Sequence, residues 1–183
     1  MKVQLESIDG DSPSPFRLLH NPRLGDLFYW HFHPEFELVY IEGASATRHV
    51  GNHISTYTRS DLVLIGSNIP HLNFDYGVKG DYAHEVLHIK PEFKSTVLDA
   101  YPEMGRLRTL LQTSRYGIAF HGKTREKVGH AMKQWHAMDP FSRFTDILQT
   151  LHQLSHSSEV ELLHKSSLIN RFKQRDHQRL RAI

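Results

Sequence analysis

The stretch GDLFYWHFHPEFELVYIEG, residues 25–43, decides how this chain is read. Along an extended strand, successive side chains alternate between two faces. His31 and His33 therefore share a face with Tyr29, and beyond the His33-Pro34-Glu35 turn the same inward face is continued by Glu37, Val39 and Ile41. Phe28, Trp30, Leu38 and Tyr40 point the other way, and their bulk predicts that helices or a partner cover that side. Downstream, NIPH at 68–71 adds His71. Two imidazoles and a carboxylate converging from neighbouring strands, joined by His71, offer three nitrogen ligands and one oxygen ligand. That set suits a borderline divalent ion such as Zn²⁺, Ni²⁺ or Fe²⁺. The same four side chains also suit a polar pocket in which they hydrogen-bond one another without metal.

Working outward, the first ninety residues read as β structure. Short apolar runs such as Phe36–Ile41 and Leu62–Ile65 are separated by turn clusters at Asn21-Pro22, Gly51-Asn52, Arg59-Ser60-Asp61 and Gly66-Ser67-Asn68. Many short strands with frequent turns argue for a sandwich or barrel over βαβ units. Tyr82 to Ile89 reads as the last long strand. From Pro91 the period changes: Phe93, Val97, Leu98 and Tyr101 line one helix face, and Met104, Leu107, Leu110 and Leu111 line another. Val128, Met132, Trp135 and Met138 mark a third amphipathic segment, and Phe144, Ile147, Leu148, Leu151 and Leu154 a fourth, with Asp139-Pro140 as N-cap and first-turn proline between them. These stripes serve either as core or as a dimer surface. Asp9 to Pro15 reads as an arm or a frayed end, and His84 and His88 as ordinary strand histidines.

Composition narrows the class. The 183 residues are 39% hydrophobic and 23% charged, which fits a soluble globular domain and excludes a disordered or fibrous chain. With no cysteine, disulfides, thiolate metal sites and cysteine nucleophiles are excluded. The N-terminus lacks the apolar core of a signal peptide, and no stretch approaches the roughly 20 apolar residues of a membrane span, so a cytoplasmic protein with no membrane partner is expected. Net charge is +2, but Arg171, Lys173, Arg175, Arg179 and Arg181 against Asp176 put +4 into the last 13 positions and leave −2 for the other 170. The main body thus lacks the broad basic face of a nucleic-acid reader.

The residues of the opening stretch resemble the first cupin motif: Gly25, His31, His33, Glu37 and Gly43, with an interval before Gly43 one residue shorter than the common pattern. Asp61 to Ile65, Pro70 and His71 resemble the second motif, without the proline-glycine element of enzymatic cupins. Two longer strings, His31 to Ile41 and Asp61 to His71, are similar to the sensor half of AraC-family transcription regulators. The resemblance implies a mainly β fold, a cupin or small jelly-roll β-barrel with its N-terminal arm over residues 1–90. A C-terminal α-helical hairpin for dimerisation follows over 91–170, and 171–183 form a basic linker toward a DNA-binding domain absent from this chain. It implies a small-molecule effector held by Tyr29, His31, His33, Glu37, Val39, Ile41 and His71, with the arm folding over the mouth, and a homodimer that meets DNA only through that further domain. A divalent metal on His31, His33, Glu37 and His71 remains one of two readings, and no catalytic residue is expected. The alternative is a stand-alone metal-dependent cupin, either a dioxygenase or isomerase or a simple binding module, because fold alone does not separate these classes.

Overall fold

The computed structural model describes residues 3–8, 13–27 and 29–165. Phe28, the arm residues Asp9 to Ser12 and the basic stretch 171–183 lie outside the described residues. Among the described residues there are two sheets. The first runs in the order β1 (Gln4–Leu5), β3 (Trp30–Phe32), β8 (His71–Leu72), β5 (Ala46–Val50), β6 (His53–Tyr57). The second runs β11 (Val160–Leu162), β10 (Ile118–Phe120), β7 (Ser60–Ile65), β4 (Phe36–Glu42), β9 (Ala83–Ile89), β2 (Phe16–His20). Every pairing is antiparallel except that of β1 with β3. The fold is mainly β, a barrel-like pair of sheets with helices on one side.

The central strands β4, β7 and β9 are buried on both faces, which is why they read as nearly continuous apolar runs. Their alternate residues go to different cores. Leu38, Tyr40, Leu62, Leu64, Leu87 and Ile89 pack outward against helices. Val39, Val63, Ile65 and Val86 pack inward against Val50 and Phe74 of the opposite layer. The predicted strand parity therefore holds for Leu38 and Tyr40 but not for the cover over Trp30. Trp30 sits on β3, in the other sheet, and is half-buried with its ring 4.3 Å from that of His49. The reason is the turn at 33–35, which carries the chain from one sheet to the other.

The outer face is closed by α1 (Pro91–Phe93), which continues as a π-helical turn over Lys94–Leu98, and by α2 (Gly105–Thr113), α3 (Gly122–Gln134) and α4 (Pro140–Ser155). Asp139 caps α4 as its sequence requires, accepting from the backbone N–H groups of Phe141 and Ser142. α3 crosses the sheet at Gly129, where any Cβ would overlap the Tyr40 ring. Glycine is required there for close approach rather than for its backbone freedom.

Several expectations change or narrow. The helical stretch after Pro91 is interrupted by β10 and β11, which extend the six-stranded sheet through pairing of β10 with β7. Runs of three residues carry too little periodicity to be seen in sequence. Tyr101 is exposed, because the chain leaves the π turn before reaching it. The stripes holding Val128, Met132, Trp135, Ile147, Leu151 and Leu154 are core against the sheet and one another, and Leu148 packs at its edge. The start of the chain is not merely an arm: Gln4 and Leu5 pair with His31 and Phe32 as an added parallel strand.

Candidate functional site: a buried histidine and glutamate cluster

Strand register assembles the site. β3 pairs with β8 so that His31 stands opposite His71, while β4 pairs with β9 so that Glu37 stands opposite His88. His33, in the crossing between the sheets, joins the two halves. One ligand atom from each of His31, His33, Glu37 and His71 lies within 4.8 Å of the others, and all four residues are buried. The predicted quartet is thus brought together. His88 is an addition that sequence reading set aside. Its Nε2 donates to Glu37 Oε2 at 2.8 Å, and His33 Nε2 donates to the same oxygen at 3.0 Å. Only the β4 and β9 register shows that His88 faces Glu37.

The ring orientations have a common logic. His31 Nδ1 donates to the Tyr29 carbonyl at 2.9 Å, and His71 Nδ1 donates to the Ile69 carbonyl at 2.8 Å. A carbonyl only accepts, so each Nδ1 holds the proton and the neutral ring turns a lone pair inward at Nε2. His31 Nε2 lies 3.2 Å from Glu6 Oε2, and His71 Nε2 lies 3.4 Å from Glu37 Oε1, where it is buried without a hydrogen bond. Lone pairs facing carboxylate oxygens call for a cation between them. Backbone carbonyls behind the rings are also the usual partners that orient metal-binding histidines. The donor set therefore fits a divalent ion.

The charges are set by burial and neighbours. Burial, with His71 beside it, lowers His31 to about 3, so the ring is neutral at pH 7. Burial also acts to lower His33, but the Glu35 carboxylate beside it and the hydrogen bond to Glu37 outweigh it and raise the ring to about 9. Burial opposes ionisation of Glu37, yet its histidine neighbours, with His33 and His88 donating to Oε2, hold its carboxyl well below the ordinary range.

A pH profile follows for metal-free protein. His33 contributes stability in full below its ordinary value of 6.5, and that contribution is lost as pH rises toward 9. His31 has the opposite sign: its share is intact above 6.5 and lost as pH falls toward 3, and Glu37 adds a loss in the same acid direction. The thermal midpoint should peak near neutrality and fall on both sides, and His33→Gln should remove the alkaline limb. An alkaline limb unchanged in that variant would show that His33 is not the group responsible.

Little space remains beside the cluster. The enclosed cavity holds about 30 Å³, the share of one water molecule, and is lined by Glu6, His31, Glu37, Val39, His84 and His88 among others. Tyr29 is stacked on His31 with ring centroids 4.7 Å apart. Ile41 does not reach the site. It faces inward as predicted, but four residues of strand beyond Glu37 carry it about 13 Å away, where it packs with Ala44 and Tyr57.

No family model matches the chain, and no curated protein matches it. Among solved structures it is similar to that of unsaturated fatty acid bound wild-type ToxT from Vibrio cholerae strain SCE256, with 15% identity and a TM-score of 0.42. The match covers 76% of this chain and 48% of that one, so the chain spans about half the length of the protein it resembles.

Proposed function

We propose that this chain is the ligand-sensing and dimerisation part of an AraC-type transcription regulator, built on a cupin barrel. The reading is supported by the two motif strings and carried by one structural observation: the six-stranded sheet separates the polar cluster from the helices. Glu37 and His88 face inward from the same strands, β4 and β9, whose outward residues Leu38, Tyr40, Leu87 and Ile89 pack on the helical layer. A small molecule acting at the barrel end formed by Tyr29, His31, His33, Glu37 and His71 would bias the helices through two shared strands. Such coupling requires a ligand that binds one arrangement better than the other.

His31, His33, Glu37 and His71 would hold Zn²⁺, Ni²⁺ or Fe²⁺, and such an ion would supply a fixed positive charge that ties the two sheets together at that barrel end. A sensor is favoured over an enzyme because a helical layer packs on the outer residues of the same strands that carry the cluster, which a barrel that only catalyses does not need. DNA contact falls to a further domain beyond these residues, and the protein works in the cytoplasm. No helix among the described residues is long and apolar enough to cross a membrane.

Dimerisation would use what the core leaves exposed on α4. Phe141 is 78% exposed, and Thr145 and Leu148 share its side of the helix. Sedimentation velocity should show a dimer, with Phe141→Glu weakening it by about tenfold or more. A chain that stays monomeric at its highest soluble concentration would remove dimerisation from the proposal.

A further inference from the structure

With room for about one water beside the cluster, an organic ligand needs another place, and one adjoins it. A cleft of about 500 Å³ opens between the edge strand β2, Ile8 and Ser14, and the start of α4. That volume is in the usual range of small-molecule sites. One side is apolar, formed by Phe16, Leu18 and Phe144, with the Phe16 and Phe144 ring centroids 5.4 Å apart. Among the described residues the lining also carries Arg17, Lys90 and Arg143, and one acid, Glu35.

Glu35 Oε2 lies 3.5 Å from His33 Nδ1, so its charge is answered from within the barrel. Neither Arg17 nor Arg143 has an ion-pair partner among the described residues. His88 links the two spaces, lining both the cleft and the small cavity. Its Nε2 is engaged by Glu37, while its Nδ1 is buried without a hydrogen-bond partner among the described residues.

We propose that this cleft binds an amphipathic carboxylate, its apolar body against Phe16, Leu18 and Phe144 and its carboxylate among Arg17, Arg143 and Lys90. Guanidinium groups suit this task because their planar fork pairs with both carboxylate oxygens. The proposal names the ligand class of the sensor reading and rests on that reading for its purpose, but its chemistry stands alone. β2 supplies Phe16 and Arg17 while α4 supplies Arg143 and Phe144, so an occupant ties the helix to the sheet edge. Through His88 it also adjoins Glu37.

The test is calorimetric titration of the 183-residue chain with octanoate, with 1-naphthoate and with the neutral octanol. Both carboxylates, or one of them, should bind at least about tenfold more tightly than octanol, and the tighter of the two distinguishes a straight-chain from an aromatic body. Arg17→Gln with Arg143→Gln should lower carboxylate affinity about tenfold or more at an unchanged thermal midpoint and leave octanol binding as it was. Arg143→Gln alone serves if the pair does not fold. Arg106→Gln, a change of the same kind beside a separate groove, should leave carboxylate binding intact. Absence of carboxylate binding, indifference to the changes at Arg17 and Arg143, or loss of binding in Arg106→Gln would each overturn the proposal. If carboxylates bind in the cleft yet leave the sedimentation profile unchanged, the cleft stands and the sensor reading fails.

Discussion

Asp61→Ala is expected to lower folding stability by about 3–5 kcal/mol, the cost of leaving a buried charge without its partner. Arg48 on β5 and Asp61 on β7 come from opposite sheets and meet inside the barrel, both almost fully buried. Arg48 Nη1 donates to both Asp61 oxygens, at 3.0 and 3.2 Å, and its Nε donates to Ser55 Oγ at 3.1 Å. Burial raises the Asp61 carboxyl above its ordinary range, and Arg48 offsets only part of that. Desolvation thus exceeds the attraction, so the pair is a weak stabiliser while its separation is costly. The matched prediction is that Arg48→Met with Asp61→Leu recovers most of the loss. Urea unfolding measures both, with the midpoint shifting at constant slope. A cost under about 1 kcal/mol for Asp61→Ala would mean that water reaches Arg48, and the buried-charge argument would then fail.

The second large effect concerns metal. Chelator-stripped protein should take up one equivalent of Zn²⁺ or Ni²⁺, with a rise in thermal midpoint that grows with free metal concentration. Glu37→Gln keeps the shape of the side chain and removes its charge, and should weaken binding by more than about 100-fold. His88→Asn, which removes only a partner of Glu37, should cost about 10–100-fold. The proton on His33 competes with the ion, because Glu35 and Glu37 hold that ring protonated up to about 9. Affinity should therefore climb as pH rises toward that value. Absence of uptake at pH 8, or equal binding by wild type and Glu37→Gln, would leave the cluster as a hydrogen-bonded polar floor.

Taken from the amino-acid order alone, the two-faced character of β4 was legible because a period of two ties residue number to sheet face, and the quartet His31, His33, Glu37 and His71 was grouped by that parity together with the resemblance to the two cupin motifs. The helical stripes were legible for the same reason at a period of 3.6, and Asp139-Pro140 marked a helix start by capping chemistry alone. Tertiary structure decided what depends on register between distant strands. His88 meets Glu37 across 51 residues of sequence, Arg48 meets Asp61 across the barrel, and Glu6 reaches His31 because β1 pairs beside β3. None of these contacts leaves a local signature, since a strand's own pattern says which face a residue takes but not which strand lies opposite. The same limit explains Trp30, whose parity was readable while its sheet was not, and Ile41, whose face was right but whose distance along the strand removed it from the site. The cleft between β2 and α4 is the extreme case, for it exists only where two segments more than a hundred residues apart are packed together.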